Sequence, residues 1–233
     1  MTSAHGSSAK NGRHSRDDVA NAALRILDEY GLPDLTMRRL AAALDVQPSA
    51  LYWHFPNKQT LLAELADRIS ARGSAGPQSS GSEASEASAV SEASADWMLV
   101  TAAEASSLRD ALLAYRDGAE VVSSTLALGL GESVPLVRLT RAVRLSGFDD
   151  EMCRRASTAL LHFILGHVSH EQQRMQYDSI GVAARGGADD AAGVAGMDAP
   201  AGLIADGAAE FEFGVRLFIA GLDALEHEPS MLR

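Results

Sequence analysis

The sequence predicts an all-α protein in two parts, an N-terminal three-helix domain containing a helix-turn-helix and a larger helical body behind it. Three observations predict this. The chain is 46% hydrophobic but only 5% aromatic, with Ala and Leu dominant. Its apolar residues recur at helical spacing in segments divided by Gly, Pro or polar runs. Residues 35–58, LTMRRLAAALDVQPSALYWHFPNK, hold two short helical signals joined by a tight turn. A chain of 233 residues suffices for one small and one larger domain sharing a core.

Residues 1–14 are small and polar and turn basic at Lys10, Arg13 and His14, which predicts a disordered arm. Arg13 and Arg16 are candidates for a phosphate or the minor groove, against the plainer reading of a frayed end without a role. Ser15 with Asp18 three residues on is a capping pattern, and Val19, Ala22, Ala23, Ile26, Leu27 and Tyr30 follow at helical spacing up to a stop at Gly31. Thr36 caps the next helix, which carries Leu40 and Leu44. Asp45 then stands where the turn asks for a left-handed residue, a conformation Asp tolerates better than most. The second helix of the pair has Pro48 in its first turn, where the missing N–H costs nothing. Asn57 caps a fourth helix through Leu61, Leu62, Leu65 and Ile69, and the domain closes at about residue 72.

Composition changes sharply over 73–95, a Ser, Ala, Glu and Gly run whose one large apolar residue is Val90. This predicts a linker, and 96–233 then form the second domain. A helix is expected from Asp96 to about Tyr115, with Trp97, Val100, Leu108 and Leu112, until Arg116-Asp117-Gly118 breaks it. A short helix through Val121 and Val122, a loop at Gly129 and Gly131, a helix over 134–145 and a long one over about 149–177 follow. Residues 178–207, rich in Gly, Ala and Asp, are expected to be mobile. The last helix, 208–225, is apolar on more than one face through Phe211, Phe213, Val215, Leu217, Phe218, Ile219 and Leu222. Such a helix needs both an internal core and a partner.

The polar residues around the turn carry the functional reading. With the apolar side chains facing inward, Thr36, Arg38, Gln47, Ser49, Tyr52, His54 and Lys58 project outward, and Pro48, Ala50 and Trp53 share that surface. A recognition helix sets its first residues against base edges while flanking hydroxyls and cations hold phosphates. Arg38 can reach guanine O6 and N7 bidentately, with Gln47, Ser49 and Ala50 as further base readers; Tyr52 and Lys58 suit phosphate. The plain alternative is a solvated face of a helical hairpin. Net charge divides accordingly: of the total of −11, residues 10–72 carry about +1 and the rest about −12. A near-neutral reading head can approach phosphate while an acidic body stays clear of it.

Other classes are disfavoured. No nucleophile elbow, phosphate loop or metal motif occurs, so no catalytic residue, cofactor or metal site is predicted. No apolar run reaches the ~20 residues of a bilayer span, and the N-terminus lacks a signal-peptide core, which predicts a cytoplasmic protein. The single cysteine, Cys153, excludes an internal disulfide. A ligand-independent architectural DNA binder would need a basic body, which this chain lacks.

LYWHFPNKQTLL, at 51–62, resembles the best-known run of the tetracycline-repressor (TetR) family of bacterial transcriptional regulators, and ALLAYRDGAEV, LHFILGHV and FEFGVRLFIAGL resemble its regulatory core in the same order. The resemblance implies a homodimer, paired through the 149–177 and 208–225 helices, that binds a palindromic DNA operator and is released by a small-molecule effector. In the family's namesake, magnesium-bound drug is approached by a histidine, a threonine and a glutamate. Here those positions fall on Val122, Thr125 and His170, while two polar drug contacts fall on Glu104 and Leu139. Magnesium prefers hard oxygen ligands, so magnesium-tetracycline is not the expected inducer. The implied pocket, lined by Leu108, Val122, Thr125, Leu139, Leu161, Leu165 and His170 with Glu104 as polar anchor, suits a largely apolar, polyketide-like molecule. His167 and His170, three apart on one helix, leave a metal-responsive regulator open as an alternative.

Overall fold

The computed structural model describes residues 14–72, 89–179 and 207–227, and side chains at 14–72, 97–177 and 207–225. The predicted arm (except His14), the linker up to residue 88 and the loop from 180 to 206 lie outside the described residues. The helices are α1 (Arg16–Tyr30), α2 (Met37–Ala43), α3 (Pro48–Leu51), α4 (Lys58–Ala71), α5 (Ala89–Leu113), α6 (Gly118–Ala127), α7 (Val134–Val143), α8 (Asp150–Ser179) and α9 (Gly207–His227). No strand occurs among them.

The local signals act as the chemistry requires. Ser15 and Asp18 form a reciprocal capping box on α1, Thr36 Oγ1 accepts the Arg39 N–H at 3.1 Å, and Asn57 Oδ1 accepts the Thr60 N–H at 2.8 Å. Gly31 ends α1 at φ +84°, and Asp45 turns between α2 and α3 at φ +53°. Val19, Ala23, Leu27, Leu40, Leu51, Phe55, Leu61 and Leu65 are buried and close the head. His14 is anchored to it, its Nε2 lying 3.0 Å from the Leu44 carbonyl oxygen.

The expected helix start at Asp96 needs correction, because α5 begins at Ala89. The linker reading rested on the lack of surface to bury, whereas Ala and Glu carry high intrinsic helix propensity and extend α5 backward. The 134–145 helix stops at Val143 and tightens into a 3-10 turn, Arg144–Ser146, before Gly147. The body packs α5 against α7, α8 and α9, with α6 against α8; α4 lies on α6 and also touches α5 and α7. Head and body therefore share one apolar core, running from Val19 through Ile69 and Leu108 to Leu222.

Candidate DNA interface and effector pocket

The two arginines of α2 have different surroundings. Arg39 pairs with Asp34 at 2.8 Å and lies over the Tyr30 ring, which fixes it to the head. Arg38 is exposed and makes no hydrogen bond or ion pair among the described residues. Gln47, Pro48, Ser49 and Ala50, at the start of α3, are exposed with it. Tyr52 is 49% and Trp53 90% exposed, an unusual placement for an indole that has nothing of its own chain to cover. His54 and Lys58 are half-buried, and Thr36 is exposed with its oxygen serving the cap and its O–H still able to donate. Of the ten predicted residues, eight are thus exposed and two, His54 and Lys58, are half-buried.

Arg16, a candidate for phosphate, belongs elsewhere. Its guanidinium bonds Glu64 at 2.8 Å and the His54 carbonyl at 3.3 Å and stacks over Phe55, so it is spent on holding α1 to α4. Arg68 joins the same carboxylate at 2.8 Å and also pairs with Asp17. Burial alone would push the Glu64 carboxyl up, but the two guanidinium partners outweigh it and hold it below its ordinary value. Stability from this site is accordingly full above the unfolded value near 4.5 and is lost as pH falls through the lowered folded value. Glu64→Gln is expected to cost about 1 kcal/mol at neutral pH. The difference from the parent should shrink in urea melts taken progressively below about pH 4.5.

In the body, Leu108 of α5, Val122 of α6, Leu139 of α7, and Leu161 and Leu165 of α8 are all buried in the common core. Thr125 is buried too, its hydroxyl donating to the Val121 carbonyl at 2.7 Å. Two expectations change. His170 is exposed in the single chain rather than lined up with these residues. Glu104 is ion-paired with Arg138 of α7, so it is not a vacant anchor. Sequence reading missed Arg138, although a signal existed: it lies three residues after buried Pro135 and four before buried Ala142, on the packed side of α7.

His167 is no metal ligand here. Its ring packs against Phe163 and Phe211, and its Nε2 lies 3.0 Å from the Gly207 carbonyl. Among the described residues no group of three or more His, Cys, Asp or Glu is placed to hold an ion. Cys153 is buried near the Phe148 carbonyl, and burial pushes its thiol up, away from reactivity.

Polar contacts cross the seam between head and body. Asp117, left-handed at φ +56°, accepts the Leu32 N–H at 2.8 Å and the Gln176 amide at 2.6 Å. Arg72 donates to the Tyr115 hydroxyl at 2.6 Å, and Asp67 accepts the Glu132 N–H at 3.2 Å, burial pushing its carboxyl up. A cleft of about 570 Å³ opens beside Asp117, between Tyr30 and Tyr177.

An exposed helix-turn-helix on a head that shares its core with a helical body is the architecture of a DNA-binding transcriptional regulator. Residues 20–65 match "Bacterial regulatory proteins, tetR family" and residues 91–225 match "Tetracyclin repressor-like, C-terminal domain". The class A tetracycline repressor from transposon 1721 of Escherichia coli is 36% identical over 66% of this chain and 65% of its own length. Among solved structures, BioQ with its natural double-stranded DNA operator aligns with a TM-score of 0.64 and 32% identity over 90% of this chain and 98% of that one. A single-residue variant of TetR from Acinetobacter baumannii AYE in complex with minocycline aligns with a TM-score of 0.61 and 28% identity, over 91% and 98% of the two chains. The chain belongs to the tetR family of bacterial regulatory proteins.

Proposed function

We propose that the chain is an effector-released repressor that binds a palindromic operator as a homodimer in the cytoplasm. The observation that carries this is that Arg38, without a partner among the described residues, and Trp53, 90% exposed, lie on a helix-turn-helix head whose fourth helix packs into the helical body. One short recognition segment reads few base pairs, so two copies on a two-fold site supply the specificity. On α9, Phe213 and Leu217 are 61% and 65% exposed, which supports pairing through α8 and α9. The operator and minocycline in the related structures support the same division of labour.

The pocket is the set Leu108, Val122, Thr125, Leu139, Leu161 and Leu165, whose aliphatic walls favour a largely apolar molecule over a magnesium chelate. His170 joins it only if a second copy covers α8. Ligand in this core displaces α6 against α4 and alters the spacing of the two heads. The test is release from an operator fragment by aromatic polyketides and, separately, by tetracycline with and without magnesium. Release by a polyketide alone is expected; release by magnesium-tetracycline would overturn the reading of Val122.

A further inference from the structure

Helix α3, the second helix of the helix-turn-helix, is too short to hold its own pose. It has four residues, its N-cap Gln47 makes no side-chain capping bond, and Leu51 is its one buried residue. A helix of this length depends on tertiary contacts, and α2 supplies those on one side. The turns before and after it each present a backbone carbonyl to the start of α1. Leu44, in the turn before α3, has Pro48 four residues on, which has no N–H to offer its carbonyl. His54 lies in the turn after α3, next to Tyr52 and Trp53.

The start of α1 reaches both. His14 Nε2 lies 3.0 Å from the Leu44 carbonyl oxygen, and because that oxygen only accepts, the ring nitrogen is the donor. Arg16 Nη1 donates to the His54 carbonyl at 3.3 Å. The guanidinium is itself fixed, with Nε and Nη2 bonding Glu64 Oε2 at 3.1 and 2.8 Å and its face 4.5 Å from the centre of the fully buried Phe55 ring. A planar fork held on these sides sets the carbonyl's place, which a flexible ammonium would not do. Between the two residues stands Ser15, whose capping box with Asp18 fixes the backbone that carries them.

We propose that His14 and Arg16 are positioning residues for DNA recognition: they bracket α3, fixing the turn that leads into Gln47–Ala50 and the turn that carries Tyr52 and Trp53, and so set base preference without reading a base. This rests on the reading of those residues as the DNA-contacting surface. Hydrogen bonds to base edges weaken steeply when misaligned, whereas contacts to phosphate carry no sequence information. Loss of the bracket therefore costs the cognate site more than a mismatched one.

The experiment uses the full chain with His14→Ala, Arg16→Gln and, for comparison, Arg68→Gln. Arg68 ties α1 to α4 through Asp17 and Glu64 and bonds neither turn, so its loss lowers the melting temperature and leaves the bracket intact. One readout is amide hydrogen exchange over residues 46–55 in the DNA-free chain. The other is discrimination between a palindromic fragment from upstream of the gene and its single-base variants, followed by anisotropy. In His14→Ala and Arg16→Gln, exchange over 46–55 is expected to quicken about fivefold, the equivalent of one lost hydrogen bond, and discrimination to fall at least about threefold. Arg68→Gln should change neither. Because Arg16→Gln also gives up an ion pair, His14→Ala, which gives up a single bond, is the stricter of the two. Parent values of either readout in either variant, or both changes reproduced by Arg68→Gln, would overturn the bracket. Failure of the parent protein to bind any palindrome would instead refute the repressor reading, and exchange in the DNA-free chain would still decide whether His14 and Arg16 hold α3.

Discussion

Replacing Arg38 by alanine is expected to weaken binding to the cognate operator by about 1–3 kcal/mol, which is roughly five- to two-hundredfold in Kd. The expectation follows from position rather than charge alone. Arg38 and Arg39 are neighbours on α2, yet Arg39 is held by Asp34 and Tyr30 whereas Arg38 is exposed and unpaired among the described residues. Removing Arg38 therefore deletes no bond among the described residues, and the melting temperature should stay within the small range of a surface change. The loss should be concentrated at one base position of the half-site, since a bidentate guanine contact discriminates among bases. Lys58→Ala, by contrast, should weaken all sequences alike and reduce the salt dependence of binding. Anisotropy titrations against single-base operator variants separate the two patterns.

Gly118→Ala is expected to destabilise the fold by about 3 kcal/mol or more. A Cβ there would overlap the Leu112 carbonyl oxygen and sit 3.2 Å from its carbon, and backbone cannot turn aside as a side chain would. The damage spreads because that same carbonyl accepts the Gln172 amide at 3.0 Å. Gln172, buried on α8, also donates to the Tyr115 carbonyl at 2.8 Å and accepts the Ala119 N–H at 3.3 Å, so one amide closes the break between α5 and α6. Moving Leu112 opens this junction and leaves buried polar groups unmatched. At this chain length the expected fall in Tm is roughly 6–12 °C. Gly147→Ala is the comparison, since nothing lies within 4 Å of its Cβ position. Only the left-handed backbone penalty of about 1–2 kcal/mol applies there.

The head was largely legible in the sequence because its determinants are local. Ser15, Thr36, Pro48 and Asn57 announce helix starts, Asp45 and Gly31 announce turns, and each acts within three or four residues of itself. The exposure of eight of the ten residues proposed to meet DNA follows from the same logic, because what an apolar stripe buries decides what is left outside. The body was less legible where a residue's role depends on a helix far along the chain. Glu104 reads as a polar anchor until Arg138, 34 residues on, is found beside it. Arg16 reads as a phosphate cation until α4 brings Glu64 to it across 48 residues. Gln172 gave no signal at all, since an amide in a polar helical stretch looks like surface until its three partners surround it. Helix propensity also extended α5 into a segment judged only by its lack of burial.

DNA recognition by a pair of heads is the property on which the proposed repression depends. The most direct measurement is anisotropy of a labelled palindromic fragment from upstream of the gene, titrated with the full chain and with Arg38→Ala. Saturable binding at two chains per palindrome, weakened at least about fivefold in the variant, is the predicted result. Binding that does not saturate at that ratio, or equal affinity of parent and variant, would contradict it.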